Sequence, residues 1–177
     1  MRSKVSIIGA GNVGTACAIE IGQSGYADVV VLDIVEGLPQ GKALDIWESN
    51  PLHGSDAWVR GTNSYDDTAN SDIVVVTSGV ARKPGMSRDD LVLTNQKIVG
   101  DVVRQVATRS PRCILLVVTN PLDAMSHLAY KVTGFPRERV FGMSGVLDSA
   151  RFRSFAAREL GVSVEDVTAF IMGGHGD

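Results

Sequence analysis

Residues 5 to 33 read as a strand, a glycine-rich turn, a helix and a second strand closed by an acid. Val5-Ser6-Ile7-Ile8 is apolar, Gly9-Ala10-Gly11-Asn12-Val13-Gly14 follows as G-x-G-x-x-G, and Val29-Val30-Val31-Leu32 ends on Asp33. Each part has a job in holding a dinucleotide. Gly9 allows the tight turn, Gly11 lets backbone N–H groups approach a pyrophosphate, and Gly14 lets the helix pack close to the strand. Asn12 and Val13 open the helix, whose N-terminus offers unpaired N–H groups and a positive dipole end to phosphates. Asp33 lies nineteen residues after Gly14. There it can accept hydrogen bonds from both hydroxyls of an adenosine ribose. A lone G-x-G-x-x-G is weak evidence; the preceding strand and the spaced acid make it strong.

Asp33 also selects among cofactors. A carboxylate there repels a 2′-phosphate, and Ile34 and Val35 offer no cation to neutralise one. NAD is therefore expected over NADP.

Continuous apolar runs recur at Asp72–Thr77 and Cys113–Val118, with shorter strands expected at Trp58–Gly61 and Arg139–Gly142. Such runs suit parallel strands covered on both faces. Helices are expected at Asn12–Gln23, Pro39–Glu48, Ser87–Thr108 and Leu122–Val132. Alternating strands and helices argue for an α/β fold, a doubly wound parallel sheet of the Rossmann type. A second pattern starts after Gly142: a helix over Val146–Leu160 stopped by Gly161, then a strand over Val164–Met172 whose open edge would favour association. The expected division is a cofactor domain over 1–145 and the start of an α+β substrate domain over 146–177.

Composition narrows the partners. The 177 residues are 44% hydrophobic and 21% charged with net charge −3, which suits a soluble globular chain and gives no basic excess for nucleic acid. No run reaches the ~18 apolar residues of a membrane span. The N-terminal apolar stretch is explained by the nucleotide turn rather than by a signal peptide. Cys17 and Cys113 stand apart with no Cys/His cluster, so neither a disulfide nor a metal site is expected, and a reducing cytoplasm fits.

Four polar segments fall beyond strand ends, where ligands of such sheets bind. Gly79–Arg88 holds Arg82, Lys83 and Arg88 around a Pro-Gly turn. It reads either as a solvated loop or as a lid carrying Arg82 and Arg88 to an anionic substrate. Ser87 and Asp90 have capping-box spacing. In Thr119-Asn120-Pro121, Asn120 could cap the next helix, with Pro121 at its first position, or hold a substrate oxygen or cofactor amide. Asp148 and Arg151 share a helix face as i and i+3 and could be an ordinary surface ion pair worth about 0.5 kcal/mol. His175, flanked by glycines, is either a surface histidine or one that substrate and backbone can approach closely.

Taken in order, Gly9–Gly14, Asp33, Arg82 with Arg88, Thr119-Asn120-Pro121, Asp148-Ser149-Ala150-Arg151 and Gly174-His175-Gly176-Asp177 resemble the NAD-dependent lactate/malate dehydrogenase family. Asp33–Leu44 and Arg82–Leu91 look like its lactate-dehydrogenase-like bacterial malate branch. The resemblance runs the whole chain but covers little more than the N-terminal half of a family member.

The resemblance implies roles. His175 would be the base that takes the hydroxyl proton, and Asp148 would hold its other nitrogen. Arg151 would grip the C1 carboxylate with a bidentate fork, and Arg88 would polarise the carbonyl in the reducing direction. Asn120 would position substrate and cofactor, and Arg82 would pair with the second carboxylate of malate or oxaloacetate, where lactate enzymes generally carry a neutral residue. The implied activity is oxidation of (S)-malate with NAD, a tricarboxylic acid cycle step, in a cytoplasmic homo-oligomer. The alternatives are an NAD-binding fragment without turnover and a lactate dehydrogenase. Without the family's remaining domain, nothing is expected to hold His175 against Asp148. A short-chain reductase is rejected, because the residues four after Tyr26, Tyr65 and Tyr130 are Val30, Ala69 and Gly134 rather than lysine.

Overall fold

The computed structural model describes residues 2–82 and 84–175, with the side chain of Arg88 left outside the description. Among the described residues there are six strands: β1 (Ser3–Ile8), β2 (Ala27–Leu32), β3 (Val59–Thr62), β4 (Ile73–Val76), β5 (Ile114–Val117) and β6 (Val140–Gly142). They form one sheet in the order β3-β2-β1-β4-β5-β6, with every neighbouring pair parallel. The helices are α1 (Asn12–Ser24), α2 (Leu38–Ser49), α3 (Arg88–Arg109), α4 (Leu122–Thr133) and α5 (Gly145–Leu160). The doubly wound parallel sheet expected from the alternating pattern is present.

Alternate side chains of the central strands enter two different cores, which explains the unbroken apolar runs. Ile8, Val74, Val76, Leu115 and Val117 pack under α3 and α4 against Val99, Val103 and Met125. Ile7, Val29, Val31 and Val75 pack on the other face with Ala18 of α1 and Ala43 and Ile46 of α2. A strand with both faces buried gains nothing from polar alternation. The strand order reverses between β1 and β4, and that reversal opens a crevice beyond their carboxyl ends.

The helix boundaries follow local chemistry. Ser87 caps α3: its hydroxyl oxygen accepts from the Asp90 N–H at 3.0 Å, while Asp90 Oδ2 accepts from the Ser87 N–H at 3.1 Å. That reciprocal pair is the capping box read from the spacing. Gly161, at φ 68°, ends α5 in the left-handed conformation.

Two expectations are corrected. Val164–Met172 is not a strand: a 3₁₀ turn at Val164–Asp166 leads into irregular chain. A strand needs a ladder partner, and here side chains of α5 take that place. Arg153 donates from Nε to the Val167 carbonyl at 2.6 Å, and the Ile171 N–H donates to Ser149 Oγ at 2.9 Å. The open strand edge expected there is therefore absent among the described residues. Asn120 does not cap α4 either. Pro121 occupies the cap position, with its carbonyl accepting the first helical bond from Met125 N–H at 3.0 Å.

Candidate functional site

The crevice is built from the glycine turn. Gly9 sits at φ +115°, and a Cβ there would come within 2.7 Å of Thr77 Oγ1. A Cβ on Gly14 would overlap the Gly9 carbonyl oxygen, so helix and strand touch backbone to backbone at this point. Gly11 differs: a Cβ there would meet no atom of the described residues within 4 Å. Its open side faces a cleft of about 350 Å³ bordered by Gly9, Asp33, Ile34, Thr77, Ser78 and Gly79. Asn12 and Val13 begin α1 with N–H groups that precede the first helical bond, from Thr15 N–H to the Gly11 carbonyl.

Asp33 does more than its spacing implied. Its Oδ2 accepts from the Ala10 N–H at 2.7 Å and its Oδ1 from the Val35 N–H at 3.0 Å. The carboxylate is thereby fixed against the turn, with a second lone pair on each oxygen left for a ligand.

On the far side of the crevice, the ends of β4 and β5 are tied together. Thr119 Oγ1 donates to the Ser78 carbonyl at 2.7 Å. Asn95, fully buried on α3, accepts from the Val80 N–H at 2.8 Å and donates Nδ2 to the Asn120 carbonyl at 2.7 Å. The position of Asn120 is thus set through its backbone, while its side chain is exposed. Sequence reading missed Asn95. Its signal was a polar residue on the apolar stripe Leu91-Asn95-Val99, where a buried amide must find partners.

A second cluster gathers at the start of α5. His175 Nδ1 lies 2.8 Å from Asp148 Oδ2, and both side chains keep 26% of their surface exposed. Asp148 Oδ1 is 3.5 Å from an Arg151 guanidinium nitrogen, so the shared helix face is real, and Arg151 stays 61% exposed. The expectation that nothing holds His175 beside Asp148 is corrected. Asp123, in the first turn of α4, accepts the His175 N–H at 3.1 Å. Gly174 makes room, since a Cβ there would sit 3.1 Å from that carboxylate. Asp123 was legible only as an acid at a helix N-terminus, a position explained by the helix dipole alone.

The structure describes Arg82 as exposed, with Nε donating to the Met86 carbonyl at 3.1 Å. Among the described contacts none joins it to His175, Asp148 or Arg151. Lys83, the Arg88 side chain, Gly176 and Asp177 lie outside the described residues.

Residues 3–142 match the family model described as lactate/malate dehydrogenase, NAD binding domain. The chain belongs to the lactate/malate dehydrogenase family. It is 58% identical over 176 residues to the malate dehydrogenase of Heliobacterium modesticaldum, covering 99% of this chain and 57% of that protein. The malate dehydrogenase of Bacillus subtilis is 57% identical over 178 residues, with the same coverage. Among solved structures, Cryptosporidium parvum malate dehydrogenase superposes with TM-score 0.95 at 50% identity, covering 99% of this chain and 56% of that one. A lactate dehydrogenase from the same organism, complexed with lactic acid and nicotinamide adenine dinucleotide, gives 0.94 at 44% identity, again covering 99% and 56%. The chain spans about 57% of the length of the curated relatives it matches.

The residues of the family's NAD-binding domain fit the cofactor. Gly11 offers space where a pyrophosphate needs backbone approach, and Asp33 faces the same cleft. Ser78 also lines that cleft, and its Oγ is buried with no partner among the described residues. A buried hydroxyl of this kind has a use for a polar ligand atom. Ile34 and Val35 are exposed beside Asp33, so the 2′-position would meet a carboxylate and two hydrocarbons rather than a cation.

No helix is long and apolar enough to cross a membrane among the described residues. Burial pushes the Cys113 thiol up to about 11, and desolvation also raises the half-buried Cys17.

Proposed function

We propose that this chain is the cofactor-binding part of an NAD-dependent malate dehydrogenase, joined to the first catalytic elements of its substrate domain, with residues 1–145 and 146–177 as the two portions. The observation that carries the reading is the Asp148–His175 pair at 2.8 Å in a chain that also builds the dinucleotide crevice.

The chemistry is the interconversion of (S)-malate and oxaloacetate. NAD, when bound, supplies the hydride acceptor for the substrate C2 hydrogen. His175 takes the hydroxyl proton on Nε2, the nitrogen left free because Nδ1 faces Asp148. Asp148 fixes the tautomer and stabilises the imidazolium that forms. Arg151 grips the C1 carboxylate, Asn120 positions substrate and cofactor, and Arg88 polarises the carbonyl during reduction. Arg82 pairs with the second carboxylate and separates malate from lactate. Gly9, Gly11, Asn12, Val13, Gly14 and Asp33 hold the cofactor.

A second reading, NAD binding without turnover by these residues alone, is favoured by two observations. An apolar cleft of about 840 Å³ beside α5, bordered by Phe141, Val146 and Phe170, stands open, and Arg151 is largely exposed. A substrate site needs water excluded around its charged groups. The exposed apolar side chains also support assembly into a homo-oligomer. The two unpaired cysteines support a cytoplasmic location for this tricarboxylic acid cycle step.

Initial rates with NADH and either oxaloacetate or pyruvate, measured on a protein that carries the family's complete substrate domain, test the reading. Oxaloacetate is expected to be reduced far faster. A preference for pyruvate would make the protein a lactate dehydrogenase.

A further inference from the structure

Lys42, on the second turn of α2, reaches back across the crevice rim to the glycine turn. Its ammonium donates to the Ala10 carbonyl at 2.7 Å and to Thr15 Oγ1 at 3.0 Å. Thr15 Oγ1 in turn lies 2.8 Å from the Gly11 carbonyl, to which it donates. The Ala10 carbonyl and the Gly11 N–H belong to one peptide plane and point in opposite directions, because a trans peptide is rigid. Holding the carbonyl therefore aims the N–H. The preceding peptide is held as well: Thr77 Oγ1 lies 3.1 Å from the Gly9 carbonyl, and Asp33 accepts from the Ala10 N–H.

The Ala10–Gly11 peptide needs such an anchor. Glycines stand on both sides of Ala10, so rotation of this peptide meets little steric resistance. Rotated by half a turn, it would present a carbonyl oxygen where the Gly11 N–H now stands, and an oxygen there repels an anion. The charge-assisted bond from the Lys42 ammonium to the Ala10 carbonyl opposes that rotation, and the bond to Thr15 Oγ1 holds the ammonium in place.

We propose that Lys42 is a positioning residue for the cofactor: by anchoring the Ala10 carbonyl it directs the Gly11 N–H into the cleft that receives the pyrophosphate. Asp33 and Lys42 then act as two jaws from the β2–α2 segment, one on the N–H and one on the carbonyl of Ala10. The inference rests on the NAD-binding reading and names the residue that preorganises it. Lys42 itself does not line the cleft, so its effect passes through the turn.

The prediction separates ligands by what they carry. Lys42→Met should weaken NADH by roughly tenfold or more, as expected when charge-assisted bonds are lost. Adenosine, which has no pyrophosphate and meets the Asp33 side, should change by less than about threefold. Lys42→Arg keeps the charge and should restore most of the NADH affinity. The measurement is NADH fluorescence titration of the protein and each variant, with adenosine measured by competition and a thermal melt beside each. Should Lys42→Met lose its cooperative melt, Lys42→Gln carries the same comparison.

An NADH affinity in a folded Lys42→Met or Lys42→Gln within about twofold of the parent would overturn the inference while leaving the cofactor reading intact. Equal losses for NADH and adenosine would also overturn it, by making Lys42 a general support of the domain. Absence of NADH binding in the parent protein would overturn the cofactor reading and this inference together.

Discussion

His175 Nδ1 and Asp148 Oδ2 stand 2.8 Å apart, although their residues are 27 positions apart in the chain. The contact is assembled from three elements: α5 presents Asp148, the segment after it returns His175, and Asp123 of α4 anchors the His175 backbone N–H. Because Nδ1 faces a carboxylate, the hydrogen on the imidazole is kept there and Nε2 is left to accept a proton. Asp148→Asn keeps the shape and loses that control. In a protein with the complete substrate domain, malate oxidation should fall by about 10²–10⁴-fold, with NADH affinity nearly unchanged. Rates within a few-fold of the parent would reduce the pair to a surface contact.

Asp33 should govern the choice of cofactor. It is fixed by the Ala10 and Val35 N–H groups, and no cation stands next to it in sequence. Asp33→Ser combined with Ile34→Arg removes the repulsion and supplies a cation, so the preference for NADH over NADPH should narrow or reverse. Paired titrations with the two nucleotides measure it; an unchanged ratio would sink the assignment.

The substrate preference should rest on Arg82. Leaving a buried carboxylate without its partner costs about 3–5 kcal/mol, or roughly a hundredfold to several thousandfold. Arg82→Gln should therefore depress oxaloacetate turnover by that order and improve pyruvate. Its present bond to the Met86 carbonyl lies within its own loop and uses only the Nε hydrogen, so the terminal guanidinium nitrogens can still take a carboxylate. Oxaloacetate activity within a few-fold of the parent would leave Arg82 a surface residue.

Cys113 gives a prediction about stability. It is buried immediately before β5, and burial raises its thiol from 9.0 to about 11. For an acid raised on folding, stability is intact below the unfolded value and is lost as pH rises through the folded one. Unfolding free energy should fall between about pH 9 and pH 11. Cys113→Ala should flatten that part of the pH profile. At pH 8 a thiol reagent should leave Cys113 unmodified in the native protein and modify it after denaturation. Rapid native-state modification of Cys113 would contradict its burial.

The sheet and its helices were legible in the sequence because continuous apolar runs and glycine stops record burial on two faces directly. Val74, Val75 and Val76 announce a covered parallel strand whatever surrounds them. Val164–Met172 misled for the same reason: an apolar run does not reveal whether a ladder partner exists, and here Ser149 and Arg153 take the backbone groups instead. In the site, the pattern of Gly9, Gly11, Gly14 and Asp33 could be read from spacing, since the strand–turn–helix–strand unit that carries it is continuous in sequence. Lys42, Asn95 and Asp123 could not, because each acts on backbone atoms distant in sequence: 32 positions for Lys42 to Ala10, 25 for Asn95 to Asn120 and 52 for Asp123 to His175. A side chain that bonds a remote peptide leaves no periodic trace.

This chain should build a working NAD site from its own residues. The most direct measurement is a fluorescence titration of residues 1–177, confirmed by mass, with NADH and with NADPH under one set of conditions. Saturable binding of NADH, at least about tenfold tighter than NADPH, is the predicted result, a separation of about 1.4 kcal/mol or more. Absence of saturable NADH binding, or equal affinity for the two nucleotides, would contradict it.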